Sequence, residues 1–259
     1  MAVIVSVHSF RGGTGKSNTT ANLAALLAEK GLKVGVVDTD IQSPGVNVLF
    51  GLTQDQIRFT LNDYLWERCQ IEETAHDVTA HLGANISGKV LLVPSSMKAG
   101  EIARILDQGY DVGLLNNGFQ DLVRRLQLDV LLIDTHPGLN EETLLSIAIS
   151  QILIIILRPD QQDYLGTGVT VSVANRLKVP QLLLLVNKAP QSFSAADIRA
   201  RVEEAYHSEV IAVLPHSDEM MTLAGEGVFA VRYPQHPITQ TLRALAERIA
   251  NAQNQPLST

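Results

Sequence analysis

The sequence predicts an α/β domain: a doubly wound, mainly parallel sheet with helices on both faces, in three layers. Three observations predict it. Short, β-branched, almost continuously apolar runs alternate with longer amphipathic stretches along the 259 residues. The runs lack the apolar–polar alternation of a half-exposed sheet, so they are expected to be buried on both faces, as parallel strands beneath helices are. Hydrophobic residues make up 46% and charged residues 18%, which suits a sizeable core and excludes an intrinsically disordered chain.

Val3–Val7 is the first expected strand, and the glycine-rich turn Gly12 to Ser17 follows it. Asn18 to Lys30 reads as a helix, with Leu23, Leu26 and Leu27 on one face of an alanine-rich background and Gly31 as its stop. Val34–Asp38 is the second strand. Gly51 to Gly88 is the least regular stretch, expected to leave the sheet and to hold short helices such as Leu61–Trp66. Strands follow at Val90–Val93, Val130–Ile133, Ile152–Leu157, Leu182–Val186 and Val210–Leu214. Helical patterns lie at Ala99–Leu106, Phe119–Leu126, Glu141–Ile149, Tyr164–Leu177, Ala195–Tyr206 and Thr239–Ala250. No repeat, linker or charge block interrupts them. One domain over 1–259 is expected, with 251–259 as a frayed tail.

The composition removes several classes of function. Cys69 is the only cysteine, which excludes an intrachain disulfide, a four-cysteine zinc site and an iron–sulfur cluster held by one chain, and fits a reducing cytosol. The longest apolar run, Ile152 to Leu157, falls far short of the roughly 20 residues that span a bilayer. The opening MAVIVSVHSF lacks the basic stretch, apolar core and cleavage site of a secretory leader, so a cytoplasmic chain is expected. Twenty basic and 27 acidic residues leave a net charge of −7. That argues against a dedicated nucleic-acid coat but leaves room for a local basic face.

The chemistry is concentrated in Phe10-Arg11-Gly12-Gly13-Thr14-Gly15-Lys16-Ser17, between a strand and a helix. Glycines there let successive N–H groups converge on an anion, and the following helix adds its positive end. Lys16 supplies charge to the β- and γ-phosphates of a nucleotide, and the Ser17 hydroxyl is placed to ligate Mg²⁺. Two acids, Asp38 and Asp40, leave the second strand at i and i+2 and point the same way. Asp134 stands at the tip of the strand Val130–Ile133, where a carboxylate holds Mg²⁺ directly or through water.

The loop departs from the usual spacing, with Phe10 at the first glycine position and a basic residue after it. It resembles the deviant phosphate loop of the ParA/MinD family of ATPases, Lys-Gly-Gly-x-Gly-Lys-Ser/Thr, with Arg11 at the family's first lysine. Asp38-Thr39-Asp40-Ile41-Gln42 is similar to the family's Asp-x-Asp-x-Gln segment, and likeness extends over most of the chain. The resemblance implies ATP and Mg²⁺ as cofactors and nucleotide contacts from Gly12, Gly13, Thr14, Gly15, Lys16, Ser17 and Asn18. It implies Asp40 as the residue that orients the attacking water. Asp38 and Asp134 would then join Ser17 around the metal, Asp38 alternatively supporting the loop. It also implies a homodimer bridged by ATP, in which Arg11, with its reach and forked donors, contacts the partner's phosphates. His136 stands where the family has a small residue or proline and is expected to face solvent.

Asn187-Lys188-Ala189-Pro190 occupies the place of the guanine-reading Asn-Lys-x-Asp of GTP-binding relatives. Pro190 offers no acceptor for guanine, which argues for ATP, with Asn187 placed to read the adenine edge. Val213-Leu214-Pro215-His216-Ser217 resembles the family segment that closes over the base, which implies contacts from Pro215 and His216. The iron–sulfur relatives need more cysteine than Cys69. The expectation is therefore a slow, partner-stimulated ATPase that positions or partitions a cargo, paired with an adaptor protein. It would bind nucleoid DNA without sequence preference through Arg176, Lys178, Arg199, Arg201, Arg232 and Arg243. The final helix reads as a packing helix that closes the domain, and the polar tail beyond it lacks aromatic anchors, so no membrane surface is expected. The alternative is a MinD-like regulatory module with little turnover.

Overall fold

The structure, a computed structural model, describes residues 2–223 and 225–253. β1 (Val3–His8) runs through the glycine-rich turn into α1 (Lys16–Glu29), and β2 (Lys33–Asp38) into α2 (Val46–Leu49) and α3 (Leu61–Leu65). A two-residue strand β3 (His76–Asp77) precedes β4 (Lys89–Val93), which leads to α4 (Ala99–Gln108) and α5 (Val112–Arg125). Strand–helix pairs follow: β5 (Val130–Asp134) with α6 (Glu141–Ile149), β6 (Ile152–Leu157) with α7 (Gln161–Arg176), and β7 (Gln181–Ala189) with α8 (Ala195–Tyr206). β8 (Glu209–Pro215) leads to α9 (Asp218–Leu223), α10 (Phe229–Arg232) and α11 (Pro237–Gln253).

The strands form one sheet in the order β3-β4-β2-β5-β1-β6-β7-β8. Every neighbouring pair is parallel except β3 against β4 at the edge. All residues of β1, β5 and β6 are buried, which is what their unbroken apolar character requires. Val3, Val5, Val34 and Val36 face α1, α10 and α11. Ile4, Val37, Leu131 and Ile133 face α3 and α5, and Leu153, Ile155 and Leu184 face α7 and α8. Because seven strands point one way, their carboxyl ends share one edge, the place where such sheets bind ligands.

Within the stretch Gly51 to Gly88 expected to leave the sheet, β3 returns to it beside β4. Among the helix ends, two differ from expectation in ways the packing explains. The helix expected at Phe119–Leu126 begins at Val112, with the Asp111 side chain accepting the Gly113 N–H at 2.7 Å as its cap. Gly113, Asn116, Asn117 and Gly118 are poor helix formers. Tertiary packing overrides them: a Cβ at Gly118 would sit 2.7 Å from the Tyr64 ring. At the other end, Asn251–Gln253 continue α11 instead of fraying, and the Gln253 amide donates to Asp129 at 2.8 Å. The rest of the expected tail, 254–259, lies outside the described residues. Among those described, no helix is long and apolar enough to cross a membrane.

Candidate functional site

The glycine-rich turn is braced from the far side of the sheet. Gly15 caps α1 at φ +103°, and a Cβ there would lie 2.4 Å from the Asn187 amide nitrogen. Asn187 donates to the Thr14 carbonyl at 2.8 Å, and Lys188 Nζ donates to the Gly13 carbonyl at 2.8 Å. Lys188 holds φ +57°, uncommon away from glycine and a sign of a constrained site. The first turn of α1 carries no acidic residue, so its free N–H groups and positive end are left for an anion. The Thr14 hydroxyl is buried without a hydrogen-bond partner.

A cleft of about 550 Å³ opens over this turn. Of the residues expected from the sequence, Gly12, Gly13, Gly15, Lys16, Ser17, Asn18, Asp40, Asn187, Pro215 and His216 line it. Thr14 and Asp134 lie buried behind it. Lys188, Ser43, Met220 and Met221 also line it and were missed. α9, which carries the two methionines, has no strong periodic signal, and Lys188 meets the turn only across a sequence separation of 175. The volume is in the range of small-molecule sites.

Asp38 and Asp134 end neighbouring strands in direct register. Asp134 accepts the Ser17 hydroxyl at 2.7 Å and the Thr20 hydroxyl at 3.2 Å. Asp38 accepts Asp40 N–H at 3.0 Å through one oxygen, and Gly45 N–H at 3.1 Å and Val46 N–H at 3.3 Å through the other. Its carboxylate anchors the loop after β2, the second of the two roles expected for it. Burial, and the neighbouring Asp134, push the Asp38 pKa up. Burial pushes Asp134 up as well, opposed by the Lys16 charge and the Ser17 hydrogen bond. Oxygen donors from Ser17 and Asp134, beside a buried carboxylate pair in need of counter-charge, fit a small hard cation such as Mg²⁺.

That arrangement fixes a pH dependence. A carboxylate whose folded pKa is raised stabilises the fold below its unfolded pKa and loses that contribution as pH rises through the folded value. Asp134→Asn is thus expected to melt about 2–6 °C above wild type at pH 8 in EDTA, with the gain shrinking towards pH 5. Thermal melts at both pH values check it, and a variant less stable than wild type at pH 8 counts against the strained pair.

Asp40 lines the cleft and accepts the Ser43 N–H at 3.2 Å and the Ser43 hydroxyl at 3.0 Å. His136 does not face solvent as expected: its ring is 18% exposed, with Nε2 3.8 Å from Asp40 Oδ1. Arg11 is paired within its own chain. Its guanidinium lies 3.5 Å from Asp163 and 3.8 Å from Asp160, at the start of α7. Asp163 is buried and binds Arg158 as well, at 3.2 Å, so the monomer ties Arg11 down in cis. His8, beneath the loop, is held neutral by burial, its pKa pushed down to about 3.

Asn187 lines the cleft and also braces the loop. Its oxygen accepts Lys188 N–H at 2.9 Å while its nitrogen holds Thr14, so it clamps the phosphate loop. The basic residues do not gather into one patch. Arg176, Lys178, Arg199 and Arg201 lie on or just after α7 and α8, on one side of the sheet; Arg232 and Arg243 lie on α10 and α11, on the other. Arg199 pairs with Glu203 and Arg243 with Glu29. Cys69 packs at the edge of the apolar cluster around α3 and α5. Burial and the acids Asp63, Glu73 and Glu72 push its thiol up to about 11.

A family model described as an AAA domain matches residues 2–181. An uncharacterized ATP-binding protein of Methanocaldococcus jannaschii is 26% identical over 97% of this chain and 89% of its own length. An iron–sulfur cluster carrier protein of Pyrococcus abyssi is 25% identical over 95% of this chain and 85% of its own. The septum site-determining protein MinD of Pyrococcus horikoshii, solved with Mg-ADP, shares the fold at a TM-score of 0.77 and 22% identity, covering 96% of each chain. A ParA family ATPase from Chlorobium tepidum does so at 0.76 and 17%, covering 95% of this chain and 99% of that one.

Proposed function

We propose that this chain, which belongs to the AAA domain family as a P-loop NTPase of ParA/MinD type, is a Mg²⁺-ATP-dependent, dimerising switch ATPase that positions or partitions an intracellular cargo. One observation carries the reading: Lys16 and Ser17 on α1 and Asp40 after β2 line one cleft at the carboxyl edge of the sheet, with Asp134 of β5 held behind it by Ser17. Lys16 and the N-terminus of α1 would hold the β- and γ-phosphates. Bound Mg²⁺, held by Ser17 and Asp134, would neutralise phosphate charge. Asp40 would orient the attacking water. Pro190 in place of a guanine-reading acid favours ATP.

Exposed apolar side chains support a face-to-face pair. Phe10, Met97 and Phe193 are exposed in the segments directly after β1, β4 and β7, at the carboxyl edge of the sheet. A second copy would cover them. Dimerisation would require Arg11 to leave Asp160 and Asp163 for the partner's phosphates. Arg11→Ala is expected to remain monomeric in Mg-ATP while binding ATP within about threefold of wild type, since Arg11 does not line the cleft. Light scattering and a titration with a fluorescent ATP analogue check this; an ATP-induced Arg11→Ala dimer counts against the in-trans role.

An iron–sulfur carrier needs thiolate ligands. Cys69, held protonated among acids, is poorly suited, so that relative's role is not carried over. Nucleoid DNA is the proposed surface, bound through Arg176, Lys178, Arg199 and Arg201 on the α7–α8 side, and an adaptor protein is the proposed stimulator. Phosphate release and DNA titrations with ATP, ADP and no nucleotide, at two salt concentrations, test the reading. DNA binding that requires ATP and weakens with salt supports it. Release at background with DNA and every adaptor tried favours the MinD-like regulatory module.

A further inference from the structure

We propose that His136 is a catalytic residue in this chain, whose Nε2 faces the Asp40 carboxylate across 3.8 Å so that the two share the nucleophilic water. The assignment rests on the ATPase reading above and adds a residue to its site.

The chain after β5 places the ring. Gly138 N–H donates to the Ser9 carbonyl at 3.3 Å, which ties this loop to the phosphate loop. The Thr143 hydroxyl donates to the His136 carbonyl at 3.4 Å. The ring's Nδ1 lies 2.6 Å from the Pro137 carbonyl. A carbonyl only accepts, so Nδ1 carries the hydrogen and donates. Nε2 is then the ring nitrogen left to face Asp40. The two stand at a separation too long for a direct hydrogen bond. A water bridging them suits that geometry.

The surroundings favour such a water as the nucleophile. The Asp40 side chain is 13% exposed and that of His136 18%, so the pair is largely shielded from bulk exchange. Asp40 and Pro137 both line the cleft with Lys16. In the step itself, the water oxygen bonds to the γ-phosphorus. The bond from that phosphorus to the β,γ-bridging oxygen breaks, its electron pair leaving on ADP. The water's proton passes by way of Asp40 to the released phosphate. His136 contributes a fixed ring nitrogen that orients the water, so that Asp40 does not hold it alone.

Asparagine and glutamine separate the two ring nitrogens. The Asn amide reaches only to the place of Nδ1 and can keep the Pro137 contact; the Gln amide reaches to the place of Nε2. Phosphate release, ATP-analogue affinity and dimer mass would be measured for wild type, Asp40→Asn, His136→Asn and His136→Gln. His136→Asn is expected to lower kcat at least about tenfold with KM and affinity within about twofold, and His136→Gln to recover most of the loss. Wild-type turnover in His136→Asn overturns the assignment, as does an equal loss in both variants or a parallel loss of affinity. If Asp40→Asn abolishes turnover while His136→Asn leaves it unchanged, only this assignment falls. If wild type shows no turnover above background, the ATPase reading falls and takes the assignment with it.

Discussion

Lys16→Ala is expected to weaken ATP binding at least about 100-fold, roughly 2.7 kcal/mol. The Lys16 side chain lies at the first turn of α1, 6% exposed and lining the cleft. A charge-assisted hydrogen bond to phosphate in such a setting is among the stronger polar contacts a protein makes. The substitution has a second consequence. The Lys16 charge is the largest influence that lowers the Asp134 pKa. Without it Asp134 takes up a proton more readily, which limits the loss of fold stability while further disfavouring a metal. Isothermal titration with ATP, with and without Mg²⁺, measures both effects. An affinity within a few-fold of wild type would exclude Lys16 from the phosphate site.

Asp40→Asn should separate binding from turnover. The amide oxygen can still accept from Ser43, so the loop after β2 keeps its contacts. What is lost is the negative charge that orients and accepts a proton from the water. Phosphate release is expected to fall at least about 100-fold with ATP affinity nearly unchanged. The ATP-bound dimer should accumulate and outlast that of wild type, which light scattering after mixing with Mg-ATP would record. Unchanged turnover would remove Asp40 from the chemistry.

The two predictions draw on different layers of information. Lys16 and Ser17 were legible because their neighbours in the chain define them: a strand, a glycine-rich turn and a helix start. The central strands were legible for a similar reason, since burial on both faces demands apolar residues at every position, and β1, β5 and β6 meet that demand along their whole length. Asp134 followed from its place at the tip of such a strand.

Roles that depend on partners distant in the chain could not be read that way. Asn187 clamps Thr14 across a sequence separation of 173, and Arg11 meets Asp163 across one of 152. His136 was expected to face solvent until the strand order brought β5 beside β2 and so set its ring against Asp40. The four glycine and asparagine residues early in α5 became helical because Tyr64 needs the space above Gly118. By itself, then, the sequence determined which segments are strands and which turn grips phosphate, because burial and backbone freedom are local demands on residue type. The tertiary structure decided where each polar side chain spends its hydrogen bonds, because that depends on which strands become neighbours, and spacing along the chain does not encode it.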